Sequence, residues 1–333
     1  MKRTFDIVDT TFAHDVGTTA GRTPRYWRWN RTGVCPFASG APTFYGNDSV
    51  LRAPIGADNC CALLIESKAI MGKVYQAFPS LIDRFQRVFT HDQSLLDANP
   101  DKCHFIPGGG VWIGGDYGLG EIGIPEKSGL VSLVSSTKNL CPLHEFRFQL
   151  ARSLSGDPRV DVFIGGGGKG TPGWVPIAET LNRYRYSIVI ENTIDDGYFT
   201  EKILNCFATG VVPIYHGARR IGDWFDAGGI LPFTTRAELL EILERLSPED
   251  YHARQASIAE NLARCRQYEC VEDYLATRYH TLLGGDWREA PEAPPPPTPL
   301  RERPWTARGR CRIHELGLRL GSHIDRLRRV WRR

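Results

Sequence analysis

No segment of the 333-residue chain approaches the roughly 18 consecutive apolar residues that a bilayer-crossing helix needs. The opening "MKRTFDIVDTTFAHDVG" sets two basic residues before no apolar run, so it does not read as a cleaved secretory leader. A chain without these features is expected in the cytoplasm, in peripheral contact with the inner face of the membrane at most. Cysteine occurs nine times, at 35, 60, 61, 103, 141, 206, 265, 270 and 311, yet no C-x-x-C pair is present. That removes the usual sign of zinc or of a dithiol redox site and predicts buried thiols in a reducing compartment. Cys141 with His144 is too little for a metal site. Low-complexity sequence is missing from residues 1–290, so this body is expected to fold.

What is present is ordinary in amount and uneven in placement. Hydrophobic residues make up 41 % of the chain and charged residues 24 %, enough for one large core or two ordinary ones, and two domains are expected. The net charge of +3 divides sharply, because residues 301–333 hold 11 arginines against Glu302, Glu315 and Asp325, leaving a body of 30 basic and 35 acidic side chains. The acidic body would not extend a basic surface, which argues against nucleic acid as a partner.

Strand-like and helix-like segments alternate from about Leu130: "LVSLVSS", "HEFRFQLARSL", "VDVFIG", "WVPIAETLNRY", "YSIVIEN", "TEKILNCFATG" and "VVPIYHG". Strands separated by helices of about ten residues predict β-α-β units and a doubly wound parallel sheet, an α/β fold. We place this domain at 127–286, closed by the helix-rich "EDYHARQASIAENLARCRQYECVEDYLATRYHTLL". Residues 1–126 read as a second α/β domain: "CCALLIES" and "RVFTHD" look like strands, and glycine- and proline-rich stretches such as "PFASGAPTFYGND" and "PGGGVWIGGDYGLGEIG" suit a variable binding face. Residues 287–300 form a proline-rich linker. In the basic tail, 301–333, Ile313, Leu316, Leu320, Ile324, Leu327 and Trp331 make an apolar stripe and Arg312, Arg319, Arg326 and Arg333 a cationic one. This amphipathic helix fits an anionic membrane surface through 311–333, a partner helix, or a solvated docking helix.

Two glycine motifs fail on context. "GLGEIG" (Gly118, Gly120, Gly123) follows no apolar strand and reads as a loop. In "GGGGKGT" (165–171) Gly170 follows Lys169 and Phe163 stands where a Walker loop begins with glycine, so at most the backbone turn approaches a ligand. No two aspartates are separated by a single residue, so the D-x-D arrangement that holds a divalent metal on many nucleotide-sugar enzymes is absent. A diphosphate would have to be neutralised by the protein.

"IVIEN" and "TEKIL" supply the parts. A buried strand ends at Glu191, Thr200 can cap a helix, and Glu201 and Lys202 fall in its first turn. Free N–H groups and the helix dipole favour a phosphate there, with Lys202 adding a full charge.

"YSIVIENTIDDGYFTEKILNCFATGVVPIYHG" resembles the donor-binding motif of the α-1,3-fucosyltransferase family (glycosyltransferase family 10), which reads approximately F-x-x-x-x-E-N-S, then Y-x-T-E-K, then P-I/V-Y/V-x-G. Glu191, Asn192, Tyr198, Thr200, Glu201, Lys202, Pro213 and Gly217 fall in register. Upstream, "LLIESKAI" is similar to the family's E-S-P segment, with Lys68 where proline is common, and "FTHD…FIPGGGVWI" is similar to a stretch of bacterial and phage relatives. Thr193 replaces serine, and His216 replaces an apolar or aromatic residue, which bears on base or sugar preference.

The resemblance implies two Rossmann-like domains facing a cleft (GT-B type) and an inverting, metal-independent transfer of fucose from GDP-fucose to a glycan hydroxyl, with no cofactor. By the same resemblance Arg147 and Lys202 neutralise the diphosphate, Glu201 binds ribose hydroxyls, Tyr198 and Asn192 position nucleotide or sugar, and Glu191 orders the loop or contacts the sugar. Glu66 is the expected general base. His91 and Asp92 are second candidates that shape the acceptor cleft, and Asp195 and Asp196 read as a solvated loop tip. The tail suggests a lipid-linked or membrane-displayed acceptor. Another GDP-hexose as donor, and a non-catalytic membrane-associated scaffold, are the alternatives.

Overall fold

The computed structural model of the chain describes residues 2–9, 17–31, 42–55, 59–115, 119–165 and 175–284. The proline-rich linker, the basic tail and most of "GGGGKGT" lie outside the described residues.

The first sheet consists of β1 (Arg3–Val8), β2 (Trp27–Asn30), β3 (Thr43–Gly46), β4 (Cys60–Leu64), β5 (Arg87–Thr90) and β6 (Cys103–Phe105). All its pairings are parallel, in the order β2-β1-β3-β4-β5-β6. β4, "CCALL", is buried at every position, as a central strand covered on both faces requires. Helices α1 (Gly72–Ala77) and α2 (Gln93–Ala98) follow β4 and β5.

The second sheet takes β7 (Gly129–Ser136), β8 (Val160–Gly165), β9 (Tyr184–Ile190), β10 (Val212–His216) and β11 (Leu231–Pro232), with α3 (Pro142–Leu154), α4 (Ile177–Leu181) and α5 (Glu201–Ala208) between them. Its order is β11-β10-β9-β7-β8, again parallel. The winding reverses between β7 and β9, and the crevice outside the strands' carboxyl ends at such a reversal is the place where open α/β sheets bind ligands. The chain ends its described part with α6 (Arg236–Arg245), started by a Thr235–Glu238 capping box, α7 (Pro248–Ala253), α8 (Gln255–Cys265) and α9 (Val271–Tyr279).

Instead of two ordinary cores there are three clusters among the described residues, and the largest is shared by the sheets. It joins Phe5, Trp27, Phe44 and Phe89 of the first sheet to Ile203, Leu204 and Phe207 of α5 and to Val271 and Leu275 of α9. Each fully buried side chain of this kind contributes about 1.5–3 kcal/mol, so α5 is anchored firmly behind its N-terminal turn. The helix-rich segment expected to close the second domain also divides: Leu239, Ile242, Tyr251 and Ile258 pack on the second sheet, while α9 returns to the first. There Glu272 accepts from the Trp29 indole at 2.7 Å, and Asp273 accepts from the Arg25 and Tyr26 amides at 2.7 and 3.2 Å. Helical periodicity shows that a helix buries one face, not which sheet covers it. No helix among the described residues is long and apolar enough to cross a membrane.

Candidate functional site

β9 delivers Glu191 to the crevice fully buried. Its carboxylate accepts from the Thr200 amide at 3.0 Å and the Thr200 hydroxyl at 2.7 Å. Thr200 also caps α5, its Oγ1 accepting from the Lys202 amide at 3.3 Å and from Lys202 Nζ at 3.1 Å. Lys202 Nζ lies 3.5 Å from Glu191 and 3.2 Å from Glu201. One hydroxyl thus ties strand end, helix start and lysine together. Burial pushes the Glu191 carboxyl up, against the Lys202 charge; burial would lower the Lys202 ammonium, but Glu201 and Glu191 outweigh it and hold it raised. A Cβ on Gly217 would come 2.6 Å from Glu191 Cγ, so the motif's closing glycine leaves room for this carboxylate.

α3 supports the same point from beside it. Arg147 is buried and donates to the Ile190 carbonyl at 2.9 Å; burial lowers its pKa, with Glu191 opposing. One turn earlier His144 Nδ1 accepts from the Leu140 amide at 3.1 Å, which puts the proton on Nε2 and makes it the donor to Asn192 Oδ1 at 2.9 Å. Burial, then the Arg147 charge, lower the His144 pKa and keep the ring neutral. The Cys141 thiol donates to the Asn192 carbonyl at 3.4 Å. Cys141 and His144, dismissed in sequence as metal ligands, anchor Asn192; their spacing of three before Arg147 on one helix was the available signal.

Across the crevice, Asn47 Oδ1 accepts from the amides of Ile65 and Glu66, each at 3.0 Å. The Glu66 carbonyl accepts from Tyr75 OH at 2.9 Å, and His91 Nε2 lies 3.0 Å from that hydroxyl and 3.3 Å from the carbonyl. His91 is fully buried, and burial lowers its pKa. Its ring meets Tyr198 edge-on at 4.6 Å, and the Tyr198 hydroxyl reaches Glu66 Oε1 at 3.4 Å. Asp92 caps α2 through the Ser94 amide and holds Lys68 at 2.8 Å, so it shapes the cleft as a structural cap.

Two sequence readings change. Asp195 is not part of a solvated tip, whereas Asp196 stays solvent-accessible. Lys68 lies 3.3 Å from Asp195 and Arg219 lies 3.2 Å from Asp196, while the two backbone carbonyls accept from the Arg219 and Arg220 amides. The cation at position 68 is what draws Asp195 across. "PGGG" backs the 198–201 segment: a Cβ on Gly108 would stand 2.8 Å from the Tyr198 ring and one on Gly109 3.3 Å from the Glu201 amide nitrogen. Only glycine permits that approach.

The contacts thus form two groups, Glu191 with Thr200, Glu201 and Lys202, and Glu66 with Tyr75, His91 and Tyr198. Tyr198 is 2 % exposed and Arg147 6 %, whereas the side chains of Glu201 and Lys202 keep 19 % and 23 % of their surface. His216 is buried, bonded to the Phe233 carbonyl at 3.0 Å and stacked on that ring.

Two parallel α/β layers whose strand ends bring buried cations and carboxylates together define a protein of the Rossmann-like α/β class. Residues 124–251, which hold Arg147 and the whole 186–217 motif, match the family described as Glycosyltransferase family 10 (fucosyltransferase) C-term. The GDP-fucose protein O-fucosyltransferase 3 of Rattus norvegicus is 32 % identical over 74 residues, 21 % of this chain and 15 % of that protein. The Alpha-(1,4)-fucosyltransferase of Arabidopsis thaliana is 30 % identical over 95 residues, 26 % of this chain and 24 % of that one. The chain therefore spans less than a quarter of the length of these relatives. Among solved structures, an alpha1,3-fucosyltransferase with GDP superposes with a TM-score of 0.45 at 17 % identity, over 81 % of this chain and 85 % of that one.

Proposed function

We propose that the protein is an inverting, metal-independent glycosyltransferase that moves fucose from GDP-fucose to a hydroxyl of a glycan acceptor. The observation that supports the reading is the clustering of Lys202 with Glu191 and Glu201 at the α5 start, while Tyr198, two residues before the Thr200 cap, reaches toward Glu66 of the first sheet at 3.4 Å. Glu201 takes ribose hydroxyls and gives up its hold on Lys202, whose ammonium then serves the diphosphate with Arg147. Asn192, fixed by His144, positions nucleotide or sugar. Glu66 accepts the acceptor's proton as the acceptor oxygen bonds to the sugar's anomeric carbon; the bond to the diphosphate breaks on the opposite face, its electron pair leaving with GDP. The two cations and the helix N-terminus stabilise that departing charge.

Calorimetry with GDP and GDP-fucose, and GDP release from GDP-fucose, should both succeed in excess EDTA. Binding or turnover that requires a divalent metal would overturn the metal-free reading, and preference for another GDP-hexose would change the donor. The arginine-rich stretch 311–333 is proposed to touch anionic membrane and bring a lipid-linked or membrane-displayed acceptor within reach, on the strength of its two stripes. The chain ended at residue 289 should lose cosedimentation with phosphatidylglycerol vesicles; unchanged cosedimentation would remove that role.

A further inference from the structure

We propose that His144 is a positioning residue for Asn192: it holds the side-chain amide with its oxygen inward and its NH2 outward, so that Asn192 meets an oxygen of the nucleotide sugar only as a hydrogen-bond donor. This inference rests on the placing of Asn192 in the donor site.

The Asn192 main chain is tied to the start of α3, its carbonyl taking the Cys141 thiol at 3.4 Å. What remains open is which way the side-chain amide faces. Its two orientations have the same shape and exchange oxygen for nitrogen, so only a hydrogen bond chooses between them. His144 makes that choice. A backbone amide can only donate, so the Leu140 N–H at 3.1 Å makes Nδ1 an acceptor. The neutral ring then carries its proton on Nε2, and the Asn192 atom 2.9 Å away accepts it as Oδ1. Turned over, the amide would set its NH2 against that N–H. Nδ2 is left on the open side, donating to nothing among the described residues and not sealed from solvent.

The orientation matters because of the charge it faces. A phosphate oxygen is repelled by an amide carbonyl and held by an NH2, so one flip of Asn192 would turn an attraction into a repulsion. The arrangement also needs a neutral ring. Protonation would put a second N–H on Nδ1, against the Leu140 amide, and break the chain at its first link. Burial lowers the His144 value, and the charges of Arg147 on its own helix and Lys202 on α5 lower it too; the Asn192 hydrogen bond and Glu66 raise it less. Donor affinity should therefore be full at neutral pH and fall only below the ordinary histidine range.

The test is calorimetry of GDP-fucose, whose esterified diphosphate does not titrate near neutrality, from about pH 5 to pH 8. His144→Leu removes the inward donor and frees the amide to turn, which should weaken binding at neutral pH by roughly three- to ten-fold, the size of one hydrogen bond. His144→Gln can donate from the place of Nε2 and has no proton to gain. It should bind within about two-fold of the native protein at neutral pH and keep that affinity where the native protein loses it. In an Asn192→Ala background His144→Leu should add little, the non-additivity of coupled residues. An equal loss in that background, a His144→Gln protein as weak as His144→Leu, or the native pH profile retained by His144→Gln would overturn the inference alone. So would native affinity that rises as pH falls, since the imidazolium would then serve the diphosphate directly. Unweakened binding by Asn192→Ala would take Asn192 out of the donor site, and a native protein that binds no GDP-fucose would overturn the inference together with the transferase reading.

Discussion

Glu66→Gln is expected to bind GDP-fucose as the native protein does and to lose transfer by roughly 10²–10⁴-fold, the usual contribution of a general base. Glutamine keeps the volume, and its amide oxygen can still accept from the Ser67 amide and Tyr198, so the loop should hold its place. What disappears is the carboxylate that takes the proton. Under the proposed direct displacement Lys202 and Glu201, at the α5 start on the proposed leaving-group side, cannot take that proton instead. Initial rates with an acceptor array and calorimetry of GDP-fucose on the same sample separate the two effects. Transfer at a native rate would remove Glu66 from the base role and turn attention to His91.

Lys202→Met is expected to have the larger effect on binding and on stability together. A charge-assisted contact is worth about 1.5–3 kcal/mol, which weakens GDP binding by at least about ten-fold. The variant also leaves Glu191 fully buried without the cation that lies 3.5 Å away; breaking such a buried pair typically costs about 3–5 kcal/mol. The sign of the pH dependence follows. Burial already raises the Glu191 pKa and Lys202 opposes that rise, so its removal lifts the folded-state value further. The folded variant then binds the proton more tightly than the unfolded chain does, and its stability is lost as pH rises through the folded value. Melting temperatures across pH, with GDP titrations, check both effects. Lys202→Arg should recover much of the stability and part of the binding, and a Lys202→Met protein that binds GDP normally would contradict the diphosphate role.

The site was legible where its signals were local. "IVIEN" ends a strand and "TEKIL" starts a helix because apolar periodicity and a capping threonine act within a few residues, and Thr200 does cap α5. Glu201 and Lys202 could be placed in the first turn for the same reason. Illegible were the residues that hold these groups. His144 fixes Asn192 from 48 positions away and Tyr198 reaches Glu66 over 132, and no local pattern marks such pairs. Lys68 was visible only as a departure from proline; its meaning appeared when Asp92 and Asp195 were found on either side of it.

The alternation of strands and helices, the parallel α/β class and the strand-to-helix join at 190–202 follow from local order along the chain, since period, caps and glycine stops are short-range physics. That α9 returns to the first sheet, that Gly108 and Gly109 back residues 198–201, and that the Tyr198 hydroxyl points toward Glu66 are settled only by long-range packing. Those outcomes depend on which buried surfaces and polar groups can be satisfied together when two sheets share one core, a condition that belongs to the whole fold.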